Sequence, residues 1–482
     1  MNVTSNTQSG RRLLGLVAVT AAMVLAAMAV TNGEPDTTVA QTPPMGWNNW
    51  NSFGCNVSET LVKETADKIV SSGLADSGYE NVVVDDCWFD PQRDANGNLQ
   101  ANAERFPSGM KALGDYLHAN GLKFGIYQVP TDKTCAQRSG TYPGATGSQG
   151  YEVQDAQQFA AWGVDYLKYD WCSPMGTIEE QVAAFETMRD ALRATGRRIV
   201  YSINPNSYHA ITGPLRDWSD VANMWRTTED ITTSWDTGNT NAYPMGIKNI
   251  IAVNSKLHSY AAPGGFNDPD MLEVGVGGLT VEEQKTHFAM WAQMAAPLLI
   301  GADLRTASRT TFEILSNKAL IAIDQDPLGL QAKVISDNNG LMVLSKPLVG
   351  GHRSVALYNA TDTAATVATD VSEAGLRRAK SYRLQDVWSG ATKETAGQIR
   401  ASVPARGTVM YLISACEGSA STSQRRCTAS SWPVQERQRQ ESPLHEAWHP
   451  DVKSRSYWPN DYTEPLREAG HSFPPAGWTS SR

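Results

Sequence analysis

The fold class expected of this chain is α/β: a (β/α)8 TIM barrel followed by a C-terminal antiparallel β-sandwich. Three observations carry that expectation. Between Pro44 and Leu304, short apolar runs alternate with amphipathic stretches, the order of a parallel α/β sheet or barrel. After Asp324-Gln-Asp-Pro-Leu-Gly329 the texture changes to short strand-like runs split by Gly, Asp and Asn turns. At 482 residues the chain also exceeds one ordinary domain.

The strands expected in the first part are Met45–Trp50, Asn81–Asp86, Lys123–Val129, Tyr166–Asp170, Arg198–Asn204, Val221–Arg226, Gly265–Asp270 and Pro297–Ala302. Helical stretches fall between them, among them Ser58–Ser72, Met110–Asn120, Val153–Trp162 and Ile178–Thr195. In the last, Val182, Phe185, Met188 and Leu192 recur at helical spacing, which implies one buried face. Eight such strands suit a closed barrel, whose functional loops lie at the C-terminal strand ends. The later strands expected are Leu341–Lys346, Arg353–Tyr358, Thr366–Thr369, Ser381–Asp386 and Gly407–Ile413. The chain thus divides into a signal peptide and linker (1–41), a barrel (42–328), a sandwich (329–415) and a tail (416–482). From 417 onward there are only four aliphatic residues (Val434, Leu444, Val452, Leu466) and seven prolines, too little apolar surface to offset ordering entropy, so disorder is expected there.

Composition narrows the function. With 41 Lys and Arg against 50 Asp and Glu the net charge is −9 and no basic stripe stands out, which argues against a nucleic-acid partner. Fourteen tryptophans are available as platforms for the C–H face of a sugar, although large aromatics more often fill core. Arg11-Arg12 precede an apolar run from Leu13 to Val30, with Ala27-Met28-Ala29 as a small-residue cleavage site. The run is also long enough to be an uncleaved anchor. Secretion is the favoured reading, because a polar linker leads straight into a domain; no membrane association is expected after cleavage. The six cysteines have no CxxC spacing, so disulfides are favoured over metal ligation.

The chemistry concentrates in Asp165-Tyr-Leu-Lys-Tyr-Asp170-Trp-Cys172. This reads as a buried strand delivering Lys168 and Asp170 to its C-terminal end. A second carboxylate, Asp230, closes Trp225-Arg-Thr-Thr-Glu-Asp230, again at the end of an apolar run. Two carboxylates on one scaffold are the minimum equipment for glycoside hydrolysis. The plainer reading is a solvated ion pair at a strand end.

Further segments point the same way: Thr42-Pro-Pro-Met-Gly-Trp-Asn-Asn-Trp50, Val84-Asp-Asp-Cys-Trp88, Lys133-Thr-Cys135, Arg226 with Asp230, and Gly265-Phe-Asn-Asp-Pro-Asp-Met271. With Lys168-Tyr-Asp170 they resemble the α-galactosidase (melibiase) family of retaining glycosidases, glycoside hydrolase family 27, from about Thr42 to Ser414. The resemblance implies Asp170 as nucleophile and Asp230 as acid/base, their carboxyl groups roughly 5–5.5 Å apart for retention. Lys168, two residues before Asp170 on the same strand face, is expected to lower the nucleophile's pKa. The acid/base is expected to need a raised one.

Sugar contacts are implied residue by residue. Asp85 and Asp86 match the paired acids that accept from O4 and O6, with calcium ligation or helix capping as their alternative. Lys168 would reach O3 and O4; Arg226 would hold O2 or O3 and orient Asp230. Trp50 would stack under the ring, and Cys135, Asn204 and Asp270 complete the implied wall. Family pairing implies disulfides Cys55–Cys87 and Cys135–Cys172, with Cys416 and Cys427 available for a third. No metal or organic cofactor is expected, since carboxylates and water suffice. The partner is a carbohydrate substrate, and nothing marks an oligomer interface.

Two departures bear on the sugar. Where many relatives carry Cys-Glu after the fifth strand, this chain has Asn204 in Tyr201-Ser-Ile-Asn-Pro-Asn206. After the third strand Tyr127-Gln-Val-Pro-Thr-Asp132 replaces Tyr-Ser-Asp-Ala-Gly. The specificity expected is terminal α-D-galactose. β-L-arabinopyranosidase, α-N-acetylgalactosaminidase and isomalto-dextranase are the rivals within the family, and an inactive sugar-binding protein is the rival outside it.

Overall fold

A computed structural model describes Met1 and residues 38–206, 211–417 and 426–427. Eight parallel strands form the first domain: β1 (Met45–Asn48), β2 (Asn81–Val84), β3 (Lys123–Gln128), β4 (Tyr166–Asp170), β5 (Val200–Asn204), β6 (Met224–Arg226), β7 (Phe266–Asp268) and β8 (Leu298–Ile300). They neighbour one another in the order β7-β6-β5-β4-β3-β2-β1-β8. The β7–β8 seam is closed just past β7, where Leu272 N donates to Leu299 O at 2.7 Å and Gly301 N to Leu272 O at 3.0 Å. The sheet is therefore a barrel, as the alternation of elements implied.

The helices are α1 (Trp50–Phe53), α2 (Glu59–Ser71), α3 (Gly109–Ala119), α4 (Cys135–Ser139), α5 (Glu152–Trp162), α6 (Ile178–Ala194), α7 (Ile247–Asn254), α8 (Val281–Gln293), α9 (Arg309–Leu315) and α10 (Lys318–Asp324). Their starts follow local chemistry. Thr177 accepts from Glu180 N while the Glu180 carboxylate accepts from Thr177 N, a capping box that opens α6. The same box, Thr280 with Glu283, opens α8. Phe185, Met188 and Leu192 of α6 are buried as the periodicity required. Gly46 is fixed by space: a Cβ there would meet Asn81 O at 2.1 Å, so only glycine lets β1 approach β2.

The second domain holds a sheet ordered β14-β13-β16-β11-β10-β9, with a two-stranded β12–β15 ladder packed on it. Its strands are β9 (Lys333–Asn338), β10 (Leu341–Leu348), β11 (His352–Asn359), β12 (Ala365–Asp370), β13 (Ser381–Asp386), β14 (Thr392–Thr395), β15 (Gln398–Val403), β16 (Thr408–Glu417) and β17 (Arg426–Cys427). Val343, Val355, Leu357, Val367, Leu384, Ile399, Val403 and Ile413 form its core. β9, β14, β15 and β17 are strands beyond those the sequence suggested, the last within the segment expected to be disordered. The sandwich also extends through Glu417, two residues past the expected limit, and β17 pairs with β16. Cys416 is disulfide-bonded, and its neighbour across the strands is Cys427. Most of the expected tail, and the apolar N-terminal run, lie outside the described residues. Among those described, no helix is long and apolar enough to cross a membrane.

The domains share a buried polar seam. Gln293 at the end of α8 donates to Leu344 O (3.3 Å) and Ser354 O (3.1 Å) and accepts from Ser354 Oγ at 2.7 Å. Lys346, fully buried, donates to Ala292 O at 3.1 Å. The sandwich thereby braces the barrel from the α8 side.

Candidate active site

In a strand, residues two apart share a face, and the inward faces of the barrel strands build the site. Tyr166 and Lys168 from β4, Ser202 and Asn204 from β5, Arg226 from β6, Asp268 and the following Asp270 and Met271, and Asn48 from β1 line one cavity. Asp170 ends β4 and lies in register with Asn204.

Lys168 Nζ pairs with Asp85 Oδ2 at 2.8 Å, and Asn48 Nδ2 donates to the same oxygen at 2.6 Å. Asp85 Oδ1 accepts from Asp86 N at 2.8 Å. Asp86 receives Cys87 N (2.7 Å) on Oδ1 and Ala136 N (2.9 Å) on Oδ2. Its capping role is therefore real, but exerted across the chain on the first turn of α4. On the other wall Arg226 Nη2 reaches Thr228 O (2.9 Å), Asp230 Oδ1 (3.1 Å) and Asp270 Oδ2 (2.9 Å). Arg226 is thus ion-paired with both Asp230 and Asp270. Asp230 itself is about half exposed, with side-chain accessibility of 54%. Trp50 opens α1 rather than ending β1. It is half-buried and packs against the cluster that contains Val83, Tyr166, Met271 and Leu299. Two buried groups, Asp170 Oδ1 and Arg226 Nε, have no hydrogen-bond partner among the described residues.

The expected disulfides are present: Cys55–Cys87 and Cys135–Cys172 have Cα–Cα distances of 5.2 and 4.9 Å. Each ties a strand end to a neighbouring loop, and Cys87, Cys172 and Asp270 all hold positive φ (73°, 22° and 81°). Non-glycine residues adopt such backbone only when their surroundings enforce it, and they cluster at functional sites. The sulfurs of Cys135 and Cys172 lie with the Asp170 carboxylate within 4.8 Å of one another, but bonded sulfurs leave no thiolate for a metal. Cys135→Ser is expected to cost roughly 3–4 kcal/mol of stability by releasing a long loop. A lowered melting temperature under oxidising conditions checks this; an unchanged one would contradict it.

Electrostatics correct one expectation. Lys168 does lower the Asp170 pKa, but burial acts more strongly and pushes it up to about 7, with Asp85 and Asp230 adding to the rise. The lysine is already engaged with Asp85, so it only partly compensates the buried charge. Burial likewise raises Asp86 to about 7, Asp268 to about 6, Glu273 to about 7 and Asp324 to about 8. Their ordinary values are 3.8, or 4.5 for the glutamate, so the folded state holds these protons more tightly than the unfolded chain. Stability therefore falls as pH rises from about 4 to about 8. Burial of His287, down to about 3, and of His352 works the opposite way over part of that window, but the raised carboxyls outnumber them. The melting temperature should be higher at pH 5 than at pH 8, and the reverse order would contradict this.

Asp268, Asn48, Tyr166, Ser202 and Met271 line the site without having been singled out from sequence. The signal was present: Tyr166, Ser202 and Asp268 each stand two residues before Lys168, Asn204 and Asp270.

Carboxylates at the C-terminal end of β4 and beyond that of β6, each within electrostatic reach of a cation, suit a glycoside hydrolase of the (β/α)8 class. Residues 42–326 match the family model for Alpha galactosidase A, and residues 338–413 that for the Alpha galactosidase C-terminal beta sandwich domain. Alpha-galactosidase 3 of Arabidopsis thaliana is 45% identical over 380 residues, covering 78% of this chain and 82% of the relative. Alpha-galactosidase A of Cellvibrio japonicus is 41% identical over 417 residues, 83% and 98% of the two chains. The crystal structure of alpha-galactosidase I from Mortierella vinacea superposes with a TM-score of 0.71 at 34% identity, covering 78% of this chain and 98% of that one. The chain belongs to the α-galactosidase family, glycoside hydrolase family 27.

Proposed function

We propose that the protein is a secreted exo-glycosidase that removes terminal α-D-galactosyl residues from oligosaccharides and polysaccharide side chains by double displacement with retention. A carboxylate oxygen of Asp170 attacks the anomeric carbon. The bond to the leaving oxygen breaks as Asp230 gives that oxygen its proton. Asp230 then takes a proton from water, which attacks the same carbon and frees Asp170. The observation that carries this reading is the convergence of a buried, unpaired Asp170 oxygen with an Asp230 held by Arg226 at 3.1 Å.

The walls suit a galactosyl ring. Asp85 and Asp86 remain acceptors for O4 and O6, Lys168 and Arg226 supply donors, and Trp50 offers an apolar face. Arg226 Nε lacks a partner, so a sugar hydroxyl accepting from it would satisfy a buried donor. A site built to pair hydroxyls rejects analogues that lack them, which favours galactose over a C6-less arabinopyranose. Asn204, Asp270 and the Cys135–Cys172 disulfide complete the wall.

Initial rates on p-nitrophenyl α-galactoside, β-L-arabinopyranoside, α-N-acetylgalactosaminide and α-glucoside test the specificity. A dominant α-galactoside rate supports it. Dominance of another sugar would overturn the specificity while keeping the catalytic pair, and inactivity on all four would point to an inactive sugar-binding protein or a longer substrate.

A further inference from the structure

We propose that Glu273 is a positioning residue: through Asn51 it holds the Trp50 platform in place against the sugar-binding wall. The inference rests on the galactoside reading of the pocket and adds a residue to it that does not touch the sugar.

Glu273 is 2% exposed and follows Met271 of the pocket lining by two residues. Its Oε1 accepts from Asn51 Nδ2, and its backbone N donates to His287 Nε2 of α8 at 2.9 Å, so both its ends are fixed. Asn51 is the residue after Trp50. Trp50 N is held by Asn48 Oδ1 at 2.8 Å, and Ser52 Oγ by Gly301 O at 2.6 Å. The platform loop is thus anchored to β1, to the end of β8 and, through Glu273, to the segment that bears Asp270. That third anchor joins the platform to the wall opposite the catalytic strand.

A carboxyl is an expensive group to bury for fold stability alone, where an apolar residue of similar volume serves as well. Here it gives the Asn51 amide an acceptor that an apolar residue would withhold, leaving a polar donor without a partner. Lost positioning of a face that binds substrate and transition state alike raises KM and product Ki with little change in kcat.

The test measures galactose inhibition constants, kcat and KM on p-nitrophenyl α-galactoside, and melting temperatures for E273A, E273Q, N51A and E273A/N51A. Expected is a rise of about tenfold in galactose Ki and in KM for E273A and for N51A, as loss of one part-buried hydrogen bond to a carboxylate implies. The double variant should be no worse than either single one, because both remove the same contact. E273Q, which keeps the acceptor oxygen, should restore Ki to within about twofold, a change worth well under 1 kcal/mol. An unchanged Ki in E273A with a lowered melting temperature would overturn the proposal, as would an E273Q as defective as E273A, or additive effects of the two truncations. If E273A fails to fold, N51A and E273Q still decide. A wild-type protein that neither binds galactose nor cleaves the galactoside would overturn the underlying activity instead, and this inference with it.

Discussion

Asp170→Asn is expected to lower kcat by roughly 10⁴-fold or more, the scale seen when a covalent nucleophile is removed. The amide preserves shape but cannot form the glycosyl ester, so the first displacement has no acceptor for the anomeric carbon. Its stability signature should be opposite to that of most active-site damage. Burial already disfavours the Asp170 charge, raising its pKa to about 7, so a neutral isostere relieves a strained group. The variant should therefore melt no lower than the wild type at pH 8. A D170N protein that retains appreciable turnover would remove Asp170 from the role assigned to it.

Asp230→Asn should lower kcat/KM on substrates with poor leaving groups by about 10²- to 10⁴-fold, the range for a lost general acid. The loss should shrink sharply for α-galactosyl fluoride, whose fluoride departs without a proton. Stability should change little, within about 1 kcal/mol, because Asp230 is half exposed and the buried Arg226 keeps Thr228 O and Asp270. Equal losses on both kinds of substrate would assign Asp230 to binding rather than to protonation.

Much of this was legible in the sequence, for identifiable physical reasons. Buried parallel strands read as apolar runs, so β1 to β8 fell within the expected segments, and β4 matched at both ends. Capped, periodic helices such as α6 were equally clear. β9 and β14 were not: Lys333–Asn338 has no buried residue and Thr392–Thr395 contains no apolar one, so neither shows an alternation. Trp50 was placed at the end of a strand, yet Asn48 Oδ1 accepts its backbone N–H and the chain turns there into α1.

The site was legible as residue types and much less as charge states. Lys168 and Asp170 share a strand face, and that spacing alone implied a lowered carboxyl pKa. Nothing local showed that Asp85, far away in sequence, takes the lysine at 2.8 Å and leaves burial dominant. Glu273 was invisible for the same reason, since its partner Asn51 lies at the opposite end of the barrel sequence. Asp268 was within reach, two residues before Asp270, had the strand period been applied to every strand end.

The central claim is that Asp170 forms the bond to the sugar. Incubation with an activated fluorinated galactosyl fluoride, followed by proteolysis and mass mapping, tests it most directly. The account predicts one fluorogalactosyl group on the peptide that carries Asp170, located to that side chain by fragmentation. A label on Asp230, or release of inverted galactose with no labelled peptide, would contradict it.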